Sequence, residues 1–203
     1  MNLVDRVKAI LLAPRATWAV IEGESATVQG LYTGYIIPLA AIPAIAGFIG
    51  MSVVGYGSVM GMSIKAPMGT GLEAAIARFV GALVGTYVLA LIIDALAPTF
   101  GAQKNPMQAL KVAAYSSTAA WVAGIFMILP SLSMLSILGI YSLYLFFLGL
   151  PPLMKVPDDK AMGYTIAVIV AAVVVYVCVG LLVSQLAGVG MWGAPTNPFR
   201  AMQ

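Results

Sequence analysis

Apolar residues arrive in five long blocks separated by short connections marked by proline, glycine or charge. The blocks lie within Leu31 to Met62, Leu72 to Ala97, Met107 to Leu129, Leu132 to Leu150 and Tyr164 to Leu186. Each is long enough for the roughly 20 apolar residues that carry a helix across a bilayer. Once inside lipid, only helices and closed barrels satisfy their own backbone. The pattern therefore predicts an all-α membrane bundle of five transmembrane helices. Ahead of it, Asn2 to Ala13 places Leu3, Val4, Val7, Ile10 and Leu11 on one helical face and Asp5, Arg6 and Lys8 on the other. Pro14 ends that amphipathic helix, which either lies in the headgroup interface or docks on the bundle. It is a poor signal peptide, because its continuous apolar run is short and Pro14, Arg15 and Glu22 follow. Residues 1–29 are thus expected to form a cytoplasmic, interfacial segment, 30–187 the membrane domain, and 188–203 a short Gly/Pro-rich tail outside.

Breaker residues refine each block. Pro38 and Pro43 predict a kink in the first helix, and Gly55-Tyr56-Gly57 a loosening at its end. Lys65 to Gly71 reads as a loop. Ala77, Gly81 and Gly85 repeat every four residues in the second helix, a small-residue ridge suited to close helix packing. Pro130-Ser131 predicts a tight uncharged turn, and Pro151-Pro152 the end of the fourth helix. Asp158 and Asp159 read as a cap leading into the fifth; adjacent carboxylates point apart on a helix, which argues against a shared metal.

Composition sharpens what the chain can do. Only 8% of its 203 residues are charged, against about a quarter in soluble domains. The basic residues form no block, so nucleic acid is not an expected partner. There is no histidine and one cysteine, Cys178. An internal disulfide, His-based catalysis and His- or Cys-ligated metals are excluded. No nucleophile elbow or P-loop is present, since GYGS at Gly55 to Ser58 fits neither. No enzyme activity, catalytic residue, metal or cofactor is expected. Seven basic residues (Arg6, Lys8, Arg15, Lys104, Lys111, Lys155, Lys160) fall on one side of a five-span topology and three (Lys65, Arg78, Arg200) on the other. The positive-inside rule then puts the N-terminus in the cytoplasm and the C-terminus outside.

Chemistry concentrates around the second-to-third connection. Asp94 sits about one turn from the end of the second helix and Lys111 about one turn into the third. A short connection makes these helices antiparallel neighbours, so the two side chains are placed to meet. Tyr115, Ser116 and Thr118 follow one to two turns deeper, with Tyr144 on the fourth helix and Tyr164 on the fifth at similar depth. These residues form a candidate polar pocket open to the cytoplasmic side. A structural ion pair, with the hydroxyls bonded to backbone carbonyls between helices, is the plainer use of the same residues.

The segments TWAVIEGE (Thr17 to Glu24), YIIPL (Tyr35 to Leu39), DALAPTFGAQK (Asp94 to Lys104), Ala109 to Phe126 and YSLYLFFLGLPPLMKVPDDKAMGYT (Tyr141 to Thr165) resemble the bacterial branch of the Yip family, named for Ypt/Rab-GTPase-interacting membrane proteins. The resemblance implies five membrane helices and a cytoplasmic N-terminus. Eukaryotic members act in vesicle traffic through a long cytosolic N-terminal domain; this chain lacks one, so that role is not expected to carry over. Where the family would have Thr-Pro in the third helix, this chain has Thr118-Ala119, which predicts a straighter helix. The expected function is a non-enzymatic protein of a prokaryotic inner membrane that organises partners or lipids. Its expected partners are the lipid bilayer and either a second copy or other membrane proteins. The alternative is a small transporter or channel using the pocket around Asp94, Lys111 and Tyr115.

Overall fold

Two helices precede the membrane spans. α1 (Leu3–Leu12) is opened by Asn2, whose side chain accepts from the Asp5 amide at 2.8 Å, a polar cap on otherwise unpaired donors. Pro14 does end α1, but it also starts α2 (Pro14–Gly23), a helix the sequence pattern did not reveal. Proline suits the first helical position because its missing N–H is not needed there. In this computed structural model, which describes residues 2–55, 57–59 and 62–187, the α1–α2 hairpin docks on the bundle through its apolar stripe. Ile10, Trp18 and Ile21 are all but fully buried. The tail at 188–203, with Trp192, Phe199 and Arg200, lies outside the described residues.

Among the described residues, five helices are long and apolar enough to cross a membrane: Val28–Val54, Met68–Phe100, Pro106–Ile128, Ser131–Met154 and Asp158–Val179. The third is the axis of the bundle. Of its most apolar stretch 61% is buried, against 17% for the second, fourth and fifth. It packs against the first, second and fourth spans, while the second and fourth also touch the fifth. The outer faces of the second, fourth and fifth spans are correspondingly apolar and open: Val80, Val84, Leu143, Val170 and Val174 are all about half exposed. Lipid is the solvent such surfaces require, and this is a multi-pass membrane protein.

Several spans are less regular than their hydropathy suggests. The first carries π-helical turns at Tyr32–Ile36 and Ile49–Val54 around an α-helix at Ile37–Phe48 that contains Pro43. Gly55, at φ 100°, stops it in a conformation glycine tolerates. A two-stranded hairpin follows, β1 (Gly57–Val59) against β2 (Met62–Ile64), where only a loosening was expected. The third span is not straight. It breaks at Ser117 between Pro106–Ser116 and Thr118–Ala123, although Ala119 replaces a proline. The Ala120 amide, freed from its usual acceptor, takes Ser142 Oγ of the fourth span at 2.9 Å. The fourth begins as a 3-10 helix (Pro130–Ile140) and continues as α-helix from Tyr141 to Met154, running through Pro151 and Pro152 rather than stopping at them. Its terminus is Lys155 at φ 53°, whose amide bonds Pro151 O, while Gln103 N satisfies Met154 O at 2.8 Å. The fifth helix starts at Asp158, with Asp158 and Asp159 in its first turn as the cap pattern predicts.

Candidate functional site

The N-terminal hairpin brings polar side chains to the third span. α2 lies parallel to the last part of the fourth span: Tyr141 Oη donates to Leu11 O at 3.2 Å, Gly149 faces the Trp18 indole, and Lys155 pairs with Glu22. A Cβ at Gly149 would stand 2.7 Å from the indole, so the seat for Trp18 exists only because position 149 has no side chain. This packing aims the end of α2 at Lys111. The buried ammonium donates to Ile21 O at 2.9 Å and to Glu24 O. It thereby adds a charged donor to the carbonyls at the end of α2, where Ile21 O already accepts from the Glu24 amide at 3.3 Å.

Around Lys111 the pieces interlock. Arg6 of α1 pairs with Glu24 and lies 5.8 Å from the centre of the Tyr115 ring. Tyr115 meets Trp18 edge-on at 6.2 Å and Tyr35 of the first span at 4.5 Å. Thr118 Oγ1 donates to Tyr115 O at 2.7 Å, so its only proton is committed; the 2.7 Å contact with Tyr35 must then be donated by the tyrosine hydroxyl. Ser116 bonds Ala113 O. Beside these groups lies a cavity of about 450 Å³ lined by Arg6, Glu24, Thr27, Gly34, Lys111 and Tyr115 among others. Tyr35→Phe should lower stability by about 0.5–1.5 kcal/mol, because it removes one interhelical hydrogen bond and spares the ring contact. Thermal unfolding in detergent reads the change; an unaltered midpoint would mean the hydroxyl is satisfied equally well without its partner.

The candidate pocket residues do not form one group. Lys111, Tyr115 and Thr118 come together on the side facing the first span and the hairpin, whereas Ser116 borders an apolar cavity shared with the second, fourth and fifth spans. Asp94 and Tyr164 meet elsewhere, between the second and fifth spans. Tyr164 is buried, donates to Ile93 O and stacks on Phe100 at 5.2 Å. Asp94 makes no ion pair with Lys111, and its Oδ1 is buried without a hydrogen-bond partner. Lys111 faces α2 instead, because α2 supplies carbonyls where Asp94 supplies nothing within reach. Tyr144 is 44% exposed and touches Tyr141, outside both groups. Ala77, Gly81 and Gly85 are exposed, and a Cβ on either glycine would meet nothing within 4 Å; the two glycines border an apolar cavity shared with the third, fourth and fifth spans, so among the described residues no helix packs closely on this ridge. Arg78 turns inward to Pro43 O at 3.5 Å, beside Gly47, rather than outward.

Arg6, Glu24 and Tyr35 are members of the site that sequence spacing did not single out. No periodic signal links positions so far apart; of the family-like segments, TWAVIEGE contains Glu24 and YIIPL contains Tyr35, and none contains Arg6.

Residues 8–191 match the family described as the Yip1 domain. Inner membrane protein YohC of Escherichia coli K12 and its namesake in Escherichia coli strain CFT073 are each 25% identical over 176 residues, covering 85% of this chain and 90% of theirs. No solved structure matches the chain.

Proposed function

The chain belongs to the Yip1-domain family, and from that premise we propose that it is a non-enzymatic protein of a prokaryotic inner membrane that organises membrane partners or lipids. One observation carries this reading: many of the hydroxyls inside the bundle are spent on backbone carbonyls. Tyr32 bonds Leu83 O, Tyr164 bonds Ile93 O, and Thr86, Ser117, Thr118 and Thr165 bond carbonyls of their own helices. The two tyrosines tie one span to another, and groups committed in either way leave little to line a wet path. The named relative in Escherichia coli is an inner membrane protein, which agrees with the membrane assigned here. A cytoplasmic N-terminus, with the C-terminus outside, follows the distribution of lysine and arginine.

Purified protein in liposomes, assayed for proton, cation and fluorescent-lipid movement beside Asp94→Asn, tests the reading. No flux is expected from either. Asp94→Asn should leave the fold intact and change stability by no more than about 1 kcal/mol, because only Oδ1 of the side chain is buried without a partner and no ion pair is lost. Flux that the substitution abolishes would instead identify a transporter with Asp94 in its site. Mild-detergent purification should retain a specific partner or a second copy; a lone monomer would count against the organising role.

A further inference from the structure

We propose that the cavity between α1 and the start of the first and third spans is an anion site that takes a phosphate group. Arg6 is 7% exposed and lines this cavity. One of its guanidinium nitrogens, Nη2, pairs with Glu24, whereas Nη1 is buried with no hydrogen-bond partner. A buried charged donor left unpaired is expensive, and an oxyanion in the adjoining cavity would satisfy it once the guanidinium turns its covered Nη1 towards the cavity. Lys111 lies on the same wall. Its ammonium has three hydrogens, and two of them go to Ile21 O and Glu24 O. The third is uncommitted.

Charge and size narrow the ligand. Arg6 and Lys111 against Glu24 leave one net positive charge among the lining side chains, and Asn2, Ser25 and Thr27 add neutral polar groups around the rim. Arginine beside lysine suits phosphate, which accepts several charge-assisted hydrogen bonds at once. The volume of about 450 Å³ exceeds what one phosphate needs and has room for a glycerol or similar substituent. Position agrees as well. Lys111 stands five residues into the third span and Gly34 six into the first, which is about 8–9 Å along a helix. The cavity therefore opens at the level where membrane surface and aqueous phase meet. A lipid headgroup and free phosphate share this chemistry. The site goes beyond the organising role and would stand if that role failed.

The test is binding to the purified full chain in neutral detergent, read by native mass spectrometry and by thermal shift. The probes are inorganic phosphate, short-chain phosphatidylglycerol, and chloride at matched ionic strength. Two substitutions accompany them. Arg6→Gln removes the donor. Gly34→Leu fills the cavity from a position where a Cβ meets nothing within 4 Å, so it leaves the Arg6–Glu24 pair in place and should fold. Phosphate, phosphatidylglycerol or both should bind and raise the unfolding temperature where chloride does not. Each substitution should weaken that binding by about tenfold to a hundredfold. Binding of the lipid alone assigns a headgroup, and of inorganic phosphate alone a soluble source; either supports the site. Binding of neither probe to folded protein, or binding that folded Gly34→Leu leaves unchanged, overturns it.

Discussion

Trp18→Ala should lower the stability of the whole bundle by about 3–5 kcal/mol, the range for truncating a large buried aromatic. Trp18 is 1% exposed and holds three parts of the fold together. It seats on Gly149 of the fourth span, meets the Tyr115 ring of the third edge-on, and anchors the α2 helix that carries it. No neighbouring side chain can swing in to fill the gap, because the wall opposite is the backbone of a glycine. The N-terminal hairpin should loosen first. A cysteine introduced as Ile10→Cys in a Cys178→Ser background should resist a thiol reagent in the parent and react readily with Trp18→Ala. The reciprocal change, Gly149→Ala, should destabilise by about 1–3 kcal/mol through overpacking. Trp18→Phe should recover part of that loss, since a smaller ring leaves room for the added methyl. If the two substitutions were strictly additive, the indole would not be seated on Gly149.

Lys111→Met should have the second largest effect, a loss of about 2–3 kcal/mol measured by thermal unfolding in detergent. The thioether keeps most of the apolar stem, so packing changes little. What disappears is the donor to Ile21 O and Glu24 O. Those carbonyls stand at the end of α2, and hydrogen bonds to charged groups are worth about 1.5–3 kcal/mol each. Removing a buried charge returns some desolvation energy, which is why the net loss stays below the sum. The Arg6–Glu24 pair does not involve the Lys111 side chain and should persist. Lys111→Arg is not a rescue, because a planar guanidinium cannot direct its donors at two carbonyls as a compact ammonium does. Equal stability of Lys111→Met and the parent would show that α2 ends without needing this cap.

Much of the architecture was legible in the order of residues. Lipid demands about 20 apolar residues per crossing, so five blocks meant five spans, and the connection at Pro98 to Pro106 was placed nearly where the chain turns; that from Pro151 to Gly163 was drawn too long, since helix runs to Met154 and resumes at Asp158. Lys111, Tyr115 and Thr118 stand on one side of the third span, because residues three and four apart on one helix share a face. Asp94, expected beside Lys111, lies apart from it. Depth along a helix follows from counting, but the direction a side chain faces depends on which neighbours that helix has. The third span turns Lys111 towards α2 and away from the second span.

The remaining features rest on contacts between distant positions. The break at Ser117 is supported by Ser142, the Tyr35–Thr118 bond spans 83 residues, and Tyr141 reaches Leu11 across 130. Helical periodicity reports only on residues a few positions apart, so none of these leaves a local signal. The β1–β2 hairpin lacks the Asn-Gly or Asp-Gly turn that would have announced it. The sequence by itself determined that the chain lives in lipid, how often it crosses, and which chemistry it cannot perform, because solvent and composition decide those. Only the tertiary structure decided that Arg6, Glu24, Tyr35, Lys111 and Tyr115 surround one cavity, because that depends on how α1 and α2 turn back along the bundle.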